Sequence, residues 1–223
     1  MSELLLRRRA LMMVGGGGDY PPGFTKCLCI GPSVHAETTA TIRYINTGIV
    51  VDPDHTSLVV DFESINQSNG AILSANYDKG YTPAAADSLG WYGNHGGRIG
   101  YGTDDLGYQN AIMPVNGVRT VIEYNWKDKF ILNHTNSARL SLEGRTYNGY
   151  GDKPLCVFLR RFSAYSTTMT GWLYGLTIYY DAEAVLNYVP GIDNEANPCV
   201  YDAVARKIVY PVGNAATTYS YQL

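Results

Sequence analysis

Apolar and polar positions alternate in short runs along most of this chain, the period-two pattern of strands that turn one face to a core. Residues 56–62 (TSLVVDF) form the strongest early run, and residues 71–75 follow after a polar turn at 66–70. Residues 89–92 and 97–101 flank Asn94-His95-Gly96 as a hairpin. Residues 119–125 (RTVIEYN) predict a strand whose Val121 and Glu123 face away from Ile122 and Tyr124. Further strands are expected at 129–133, 138–142 and 155–161. The stretches 42–45 and 48–51 bracket a turn at Asn46-Thr47, while 79–89 and 104–108 read as loops, the second closed by Met113-Pro114.

The clearest signature lies at residues 171–210. Leu173, Leu176 and Ile178 are interleaved with Tyr174, Thr177 and Tyr179, a β-branched and aromatic run long enough for a major strand. Val189-Pro190-Gly191 is then expected to break the chain, because proline lacks the donor a ladder needs. Asp193-Asn194-Glu195 makes a polar turn, Cys199 to Asp202 resumes extended chain, and residues 206–210 return as a short strand. Short strands separated by turn residues, with no convincing helix after residue 20, predict an all-β sandwich or barrel.

The first residues follow a different pattern. Residues 3–14 contain only good or tolerable helix formers, with Leu4, Leu5, Leu6, Leu11 and Met12 on both sides of Arg7, Arg8 and Arg9. The segment reads as a sticky arm with one basic patch, suited to docking on another protein, or as an unstructured start. Gly15 to Gly18 and Asp19-Tyr20-Pro21-Pro22-Gly23 then make a flexible hinge and a stiffer piece. The division expected is an arm and linker at 1–19 and one domain at 20–223. The order of apolar and basic residues does not match a signal peptide, and no segment approaches the length of a membrane span. The expectation is synthesis in the cytoplasm and no membrane insertion.

Composition narrows the function classes. Among 223 residues there are 19 Tyr and 24 Gly, while charged residues make up only 17%. Tyrosine at this level fits both β-propensity and a recognition surface, where it supplies rigid amphipathic contact. The net charge of −3 gives no basic field for nucleic acid. Four cysteines at 27, 29, 156 and 199 lack the spacing and the histidines of a zinc site, so free, partly buried thiols are expected.

Three segments resemble one family. Residues 40–49 (ATIRYINTGI) with Val59-Val60-Asp61-Phe62 are similar to its entry motif, residues 173–179 (LYGLTIY) to its late core strand, and residues 187–210, with Asn197-Pro198-Cys199-Val200-Tyr201-Asp202, to its closing signature. This is the concanavalin A-like, LamG-type jelly roll of structural proteins of tailed phages that infect gut bacteria. The resemblance covers residues 36–214. It departs at Pro190-Gly191, where the family carries Pro-Cys, and residues 79–107 match no family pattern. It implies an all-β jelly-roll β-sandwich with a short N-terminal arm, in a virion setting beside other phage virion proteins. A homo-oligomer, with a trimer as the guess, is the assembly expected.

Candidate chemistry is sparse. A glucanase-like site needs two facing carboxylates. Asp61 and Glu63 share a strand face but read as solvated surface, and the histidines at 35, 55, 95 and 134 are scattered. No catalytic residue, metal site or cofactor is assigned, and the chain is read as not an enzyme. Sugars stack on aromatic rings and bond to planar polar groups, so Trp91, Tyr92, His95, Tyr101, Asp104, Tyr108 and Asn110 are the candidate contacts to a bacterial surface glycan. Residues Leu4, Leu5, Leu6, Arg7, Arg8, Arg9, Leu11 and Met12 are the candidate virion-docking set. The loop Tyr147-Asn148-Gly149-Tyr150 is expected to meet ligand or a neighbouring subunit.

Overall fold

A computed structural model describes residues 20–32, 43–65, 70–75, 87, 89–91, 97–102, 104–148, 153–161, 166–168, 170–213 and 217–220. The arm at 1–19, and with it the expected helix and docking set, lies outside the described residues. The described chain is an all-β sandwich of two principal sheets.

The strands in chain order are β1 (Thr25–Lys26), β2 (Cys29–Pro32), β3 (Arg43–Val50), β4 (Thr56–Ser64), β5 (Gly70–Ala75), β6 (Leu89–Trp91), β7 (Gly97–Tyr101), β8 (Asp104–Tyr108), β9 (Thr120–Asn125) and β10 (Phe130–Asn133). They continue with β11 (Ala138–Ser141), β12 (Pro154–Val157), β13 (Leu159–Arg161), β14 (Ser166–Thr168), β15 (Gly171–Tyr180), β16 (Glu183–Ile192), β17 (Pro198–Asp202), β18 (Lys207–Val209), β19 (Val212–Gly213) and β20 (Thr217–Ser220). The large sheet runs β11-β10-β9-β4-β15-β16-β17-β18, with β1, β2 and β20 attached beside β15 and β16. The facing sheet runs β19-β3-β12-β5-β6-β7-β8, and β13 and β14 form a separate pair.

The core follows from the alternation. Leu58, Val60 and Phe62 of β4, Ile122 and Tyr124 of β9, and Leu176 and Ile178 of β15 point inward, in cross-strand register. They meet Ile45, Leu73, Leu89, Ile99, Leu155 and Val157 of the facing sheet in one apolar cluster. A second, smaller cluster sits on the outer face of β16–β18. There Tyr20 and Phe24 lie against Tyr201, Cys199, Val189 and Ile208. The segment expected to be linker therefore begins the packed domain at Tyr20 and enters the large sheet as β1, paired with β16.

Several local expectations are revised. Asn46-Thr47 does not turn the chain: β3 is continuous, and its register with β12 shifts between Pro154 and Cys156, so the run makes a bulge. Residues 104–108 are not loop but β8, paired antiparallel with β7. Pro190-Gly191 does not break β16, which pairs through to Ile192. The pairing of β15 with β16 begins only at Leu176↔Tyr188, and the Pro190 carbonyl instead accepts the Cys27 N–H at 3.1 Å. The proline thus sits where β16 has parted from β15 and runs beside β1, and it takes part there through its carbonyl, which needs no donor of its own. The run 155–161 is two strands, parted at Phe158, whose φ is 67°. All four cysteines are free and buried.

Candidate functional site

The antiparallel register of β6, β7 and β8 divides the glycan candidates between the two ends of the sandwich. Tyr101 pairs with Asp104 at one end. At the other, Trp91 pairs with Gly97, Arg98 pairs with Tyr108, and the Gln109 N–H donates to the Gly97 carbonyl at 3.0 Å. Five strand residues separate the two groups by about 14 Å. Tyr108, 45% exposed, and Asn110, also exposed, therefore stand beside the end of β6 that carries Trp91. The side chain of Trp91, and Tyr92 and His95 entirely, lie outside the described residues. Tyr101 is 1% exposed, with its ring against Tyr147 at 5.3 Å, so it offers no surface to a ligand. Asp104 is half-buried.

The Tyr101 end holds a buried polar hub that the sequence did not signal. Asp87 Oδ1 accepts from Trp126 Nε1–H and from the Gly102 N–H, both at 2.8 Å, and Oδ2 accepts from the Tyr147 hydroxyl at 2.5 Å. Burial pushes the Asp87 carboxyl above the usual range, and these three donors oppose that rise. Tyr124 stacks on Trp126 at 3.9 Å and donates its hydroxyl to the Gly100 carbonyl. The Gly102 backbone passes so close to residue 148 that a Cβ there would stand 2.8 Å from the Asn148 carbonyl. The two aromatic loops that sequence treats separately, around Tyr101 and around Tyr147, are thus neighbours pinned by one carboxylate.

On the same end, three turns meet at Asp181. His55 Nδ1 lies 2.8 Å from Asp181 Oδ2, and Lys127 Nζ donates to Oδ1 at 2.6 Å. The His55 ring stacks on Tyr180 at 4.6 Å, and the Tyr180 hydroxyl donates to Asp52. The hydrogen bond to Asp181 raises the pKa of His55, and Lys127 and His55 together lower that of Asp181. Lys127 follows Trp126 in the chain, which places this turn cluster beside the Asp87 hub. Burial first, and Asp87 next, raise the pKa values of Tyr147 and Tyr101. The histidine that sequence left isolated has a partner 126 residues away, a juxtaposition only the topology creates.

The carboxylates Asp61 and Glu63 do share the outer face of β4, as alternation predicts. Asp61 is not solvated surface, however: it is 9% exposed and accepts from Arg119 Nε at 2.9 Å and Nη2 at 2.8 Å, a bidentate pair. The guanidinium lies 4.1 Å from the centroid of the Tyr174 ring, and the Tyr174 hydroxyl donates to Glu63 at 2.9 Å. On β9, Glu123 is buried on the same outer face, accepts from Asn125 Nδ2 and lies 3.2 Å from His134 Nε2. Among the described residues, no group of three or more His, Cys, Asp or Glu is arranged to hold a metal ion. In comparisons with known proteins, the chain matches no family model, no curated protein and no solved structure.

Proposed function

We propose that this chain is a structural protein of a tailed-phage virion, a head, tail or fibre component that docks by its N-terminal arm and displays a jelly-roll domain of the concanavalin A-like, LamG type. The observation that carries this reading is the root of the arm. Tyr20 packs on Phe24 at 5.2 Å and on Tyr201 at 5.8 Å, so whatever precedes residue 20 leaves a rigid β-sandwich from a fixed point on its outer face. A docking arm needs such an anchor to set the orientation of the domain it holds. Of the resembling segments, β4 lies directly beside β15 and β15 to β18 are consecutive neighbours in the large sheet, while β3, from the entry motif, lies in the facing sheet. On the particle the chain would act as a homo-oligomer, a trimer in a fibre or knob setting. The test is incorporation into particles. Chains carrying Arg7→Glu, Arg8→Glu and Arg9→Glu together should fold yet be missing from purified virions, and normal incorporation would remove the docking role.

Host-surface glycan binding is a second part of this reading, favoured by the exposed pair Tyr108 and Asn110 at the Trp91 end of β6. An exposed aromatic face beside an amide is the pairing that sugars use. Binding of the chain to capsular polysaccharide, lost in Tyr108→Ala and kept in Asp104→Asn, would support it. Equal loss in both variants, or no binding at all, would leave the display role alone. Degradation of polysaccharide gains no support from Asp61, whose two oxygens are committed to Arg119.

A further inference from the structure

Of the ten prolines in the chain, Pro53 alone follows an aspartate. Such a bond carries its own means of cleavage. The aspartate carboxyl can close a small ring on its own carbonyl carbon, so nucleophile and target are already joined by the chain. The proline nitrogen has no hydrogen committed to a bond and leaves as a secondary amine once protonated. The turn from β3 to β4 adds fixed polar contacts to that chemistry. The Asp52 carbonyl oxygen accepts from two backbone N–H groups, His55 at 3.1 Å and Thr56 at 2.8 Å. Donors at this distance stabilise the negative oxygen of a tetrahedral intermediate in acyl transfer. The carboxylate is held at both oxygens. Oδ1 accepts from the Asp54 N–H at 3.1 Å, a contact that spans the Asp52–Pro53 bond, and Oδ2 accepts from the Tyr180 hydroxyl at 3.3 Å. The Asp52 N–H in turn donates to Thr56 Oγ1 at 2.9 Å.

We propose that Asp52–Pro53 is a self-cleaving bond, at which the folded chain nicks itself into residues 1–52 and 53–223 that stay assembled. An oxygen of the Asp52 carboxyl bonds to the Asp52 carbonyl carbon, and the carbonyl oxygen takes negative charge against the His55 and Thr56 N–H groups. As that adduct collapses the C–N bond breaks, the carboxyl proton passes to the Pro53 nitrogen, and a cyclic anhydride and a free amine result. Water then opens the anhydride to two carboxyl groups, so the net change is hydrolysis and water is the one co-reactant. Tyr180 acts as a positioning residue for the carboxyl. The other ionisable groups around it are Asp54 and His55 of its own turn, Asp181 of the β15–β16 hairpin with Lys127 bound to it, and Tyr147 of the Asp87 hub. The two products remain together because the cut falls between strands that are each held elsewhere. The strand β3 pairs with β12 and β19, β4 with β9 and β15, and β1 and β2 with β16 and β15. The bond lies in one turn of the sandwich, and its cleavage is independent of the virion reading.

Full-length chain held in mildly acid buffer, which supplies the carboxyl proton, tests this beside the same chain unfolded in urea at the same pH. Mass spectrometry should find fragments 1–52 and 53–223, the second beginning at Pro53, forming several-fold faster in the folded sample. The folded sample should keep its elution volume in gel filtration and yet separate into two bands on a denaturing gel. Hydroxylamine added during the incubation should trap the anhydride as a hydroxamate on fragment 1–52. Asp52→Asn should abolish the fragments in both samples. Tyr180→Phe should slow cleavage several-fold in the folded sample and leave the urea sample unchanged, a split that a merely structural role would not produce. Equal rates in the folded and unfolded samples, or no cleavage in either, overturn the proposal, because the fold then adds nothing to the acid lability of any Asp–Pro pair. Fragments that form without hydroxamate, or that persist in D52N, also overturn it, since water or a contaminating protease would then be cutting the bond.

Discussion

Gly191 and Phe24 occupy a space that only a glycine leaves open: a Cβ on Gly191 would stand 2.1 Å from the Phe24 ring and 2.8 Å from the Thr25 carbonyl. The reason for glycine at this position is packing. Gly191→Ala should therefore destabilise the domain by about 1–3 kcal/mol through overpacking, measured by urea denaturation. Combined with Phe24→Ala it should cost less than the sum of the two single changes, because the alanine methyl would enter space the ring has vacated. Additive losses would mean that the two residues do not share this space.

Asp87 offers a separation of charge from hydrogen bonding. Asp87→Asn keeps an oxygen for Trp126 and Gly102 and places an amide donor against the Tyr147 oxygen, so the hub survives. Asp87→Ala strands a buried indole N–H and a buried backbone N–H, at a cost of about 1–3 kcal/mol for each. The pH dependence has a definite sign. Burial raises the folded-state pKa of Asp87 above its unfolded value, so ionising it costs stability as pH rises through the folded pKa. Below the unfolded value the two forms are alike in charge. The asparagine side chain cannot ionise, so the stability of D87N relative to wild type should increase from acid to neutral pH. A constant difference across that range would show that Asp87 does not titrate abnormally.

The β-strand content was legible because strand faces repeat every second residue, and residues 56–62, 119–125 and 171–180 display that repeat openly. Turn chemistry misled where pairing partners overrode it. Asn46-Thr47-Gly48 bulges without turning the chain, Gly48 at a φ of 72°, because β12 pairs with β3 on both sides of it, and Pro190 lies where β16 has left β15 and its carbonyl bonds Cys27. The candidate site was less legible. Tyr101 and Tyr108 are seven residues apart and 104–108 reads as loop, but β8 pairs back along β7 and carries the two to opposite ends of the sheet. Asp87, Trp126 and Tyr147 give no local pattern at all, since only long-range topology brings them to one hub. Arg119, the partner that converts Asp61 from solvated acid to buried ion pair, is 58 residues from it.

That ion pair makes Arg119 a demanding position. Its side chain remains 42% exposed, but Asp61 is only 12% exposed in its side chain. Arg119→Ala would leave a largely buried carboxylate unpaired, and a loss of about 2–4 kcal/mol is expected. Lysine should restore less than half of it. It keeps the charge but can neither bond both oxygens in a fork nor lie flat over Tyr174. Thermal unfolding of the R119A, R119K and Asp61→Asn chains checks this, and full rescue by lysine would reduce the interaction to simple charge.

The hairpin turn between β15 and β16 carries strain that can be relieved. Asp181 and Ala182 adopt φ of 49° and 70°, the left-handed region in which alanine is disfavoured by roughly 1 kcal/mol. The two-residue turn asks for glycine at its second position, so Ala182→Gly should stabilise the domain by about 0.5–1 kcal/mol despite the entropy glycine adds to the unfolded chain. Asp181 is retained at its own strained position by His55 and Lys127, and here the pH sign is the same as at Asp87. The folded pKa of His55 is raised by Asp181, so its contribution is complete below the unfolded histidine pKa and fades as pH rises through the folded one. Asp181→Asn should abolish that fading and return the His55 titration, followed by NMR of its ring protons, to the ordinary histidine range. If the His55 titration is unmoved by D181N, the contact does not persist in solution and the turn is held by Lys127 and the backbone alone.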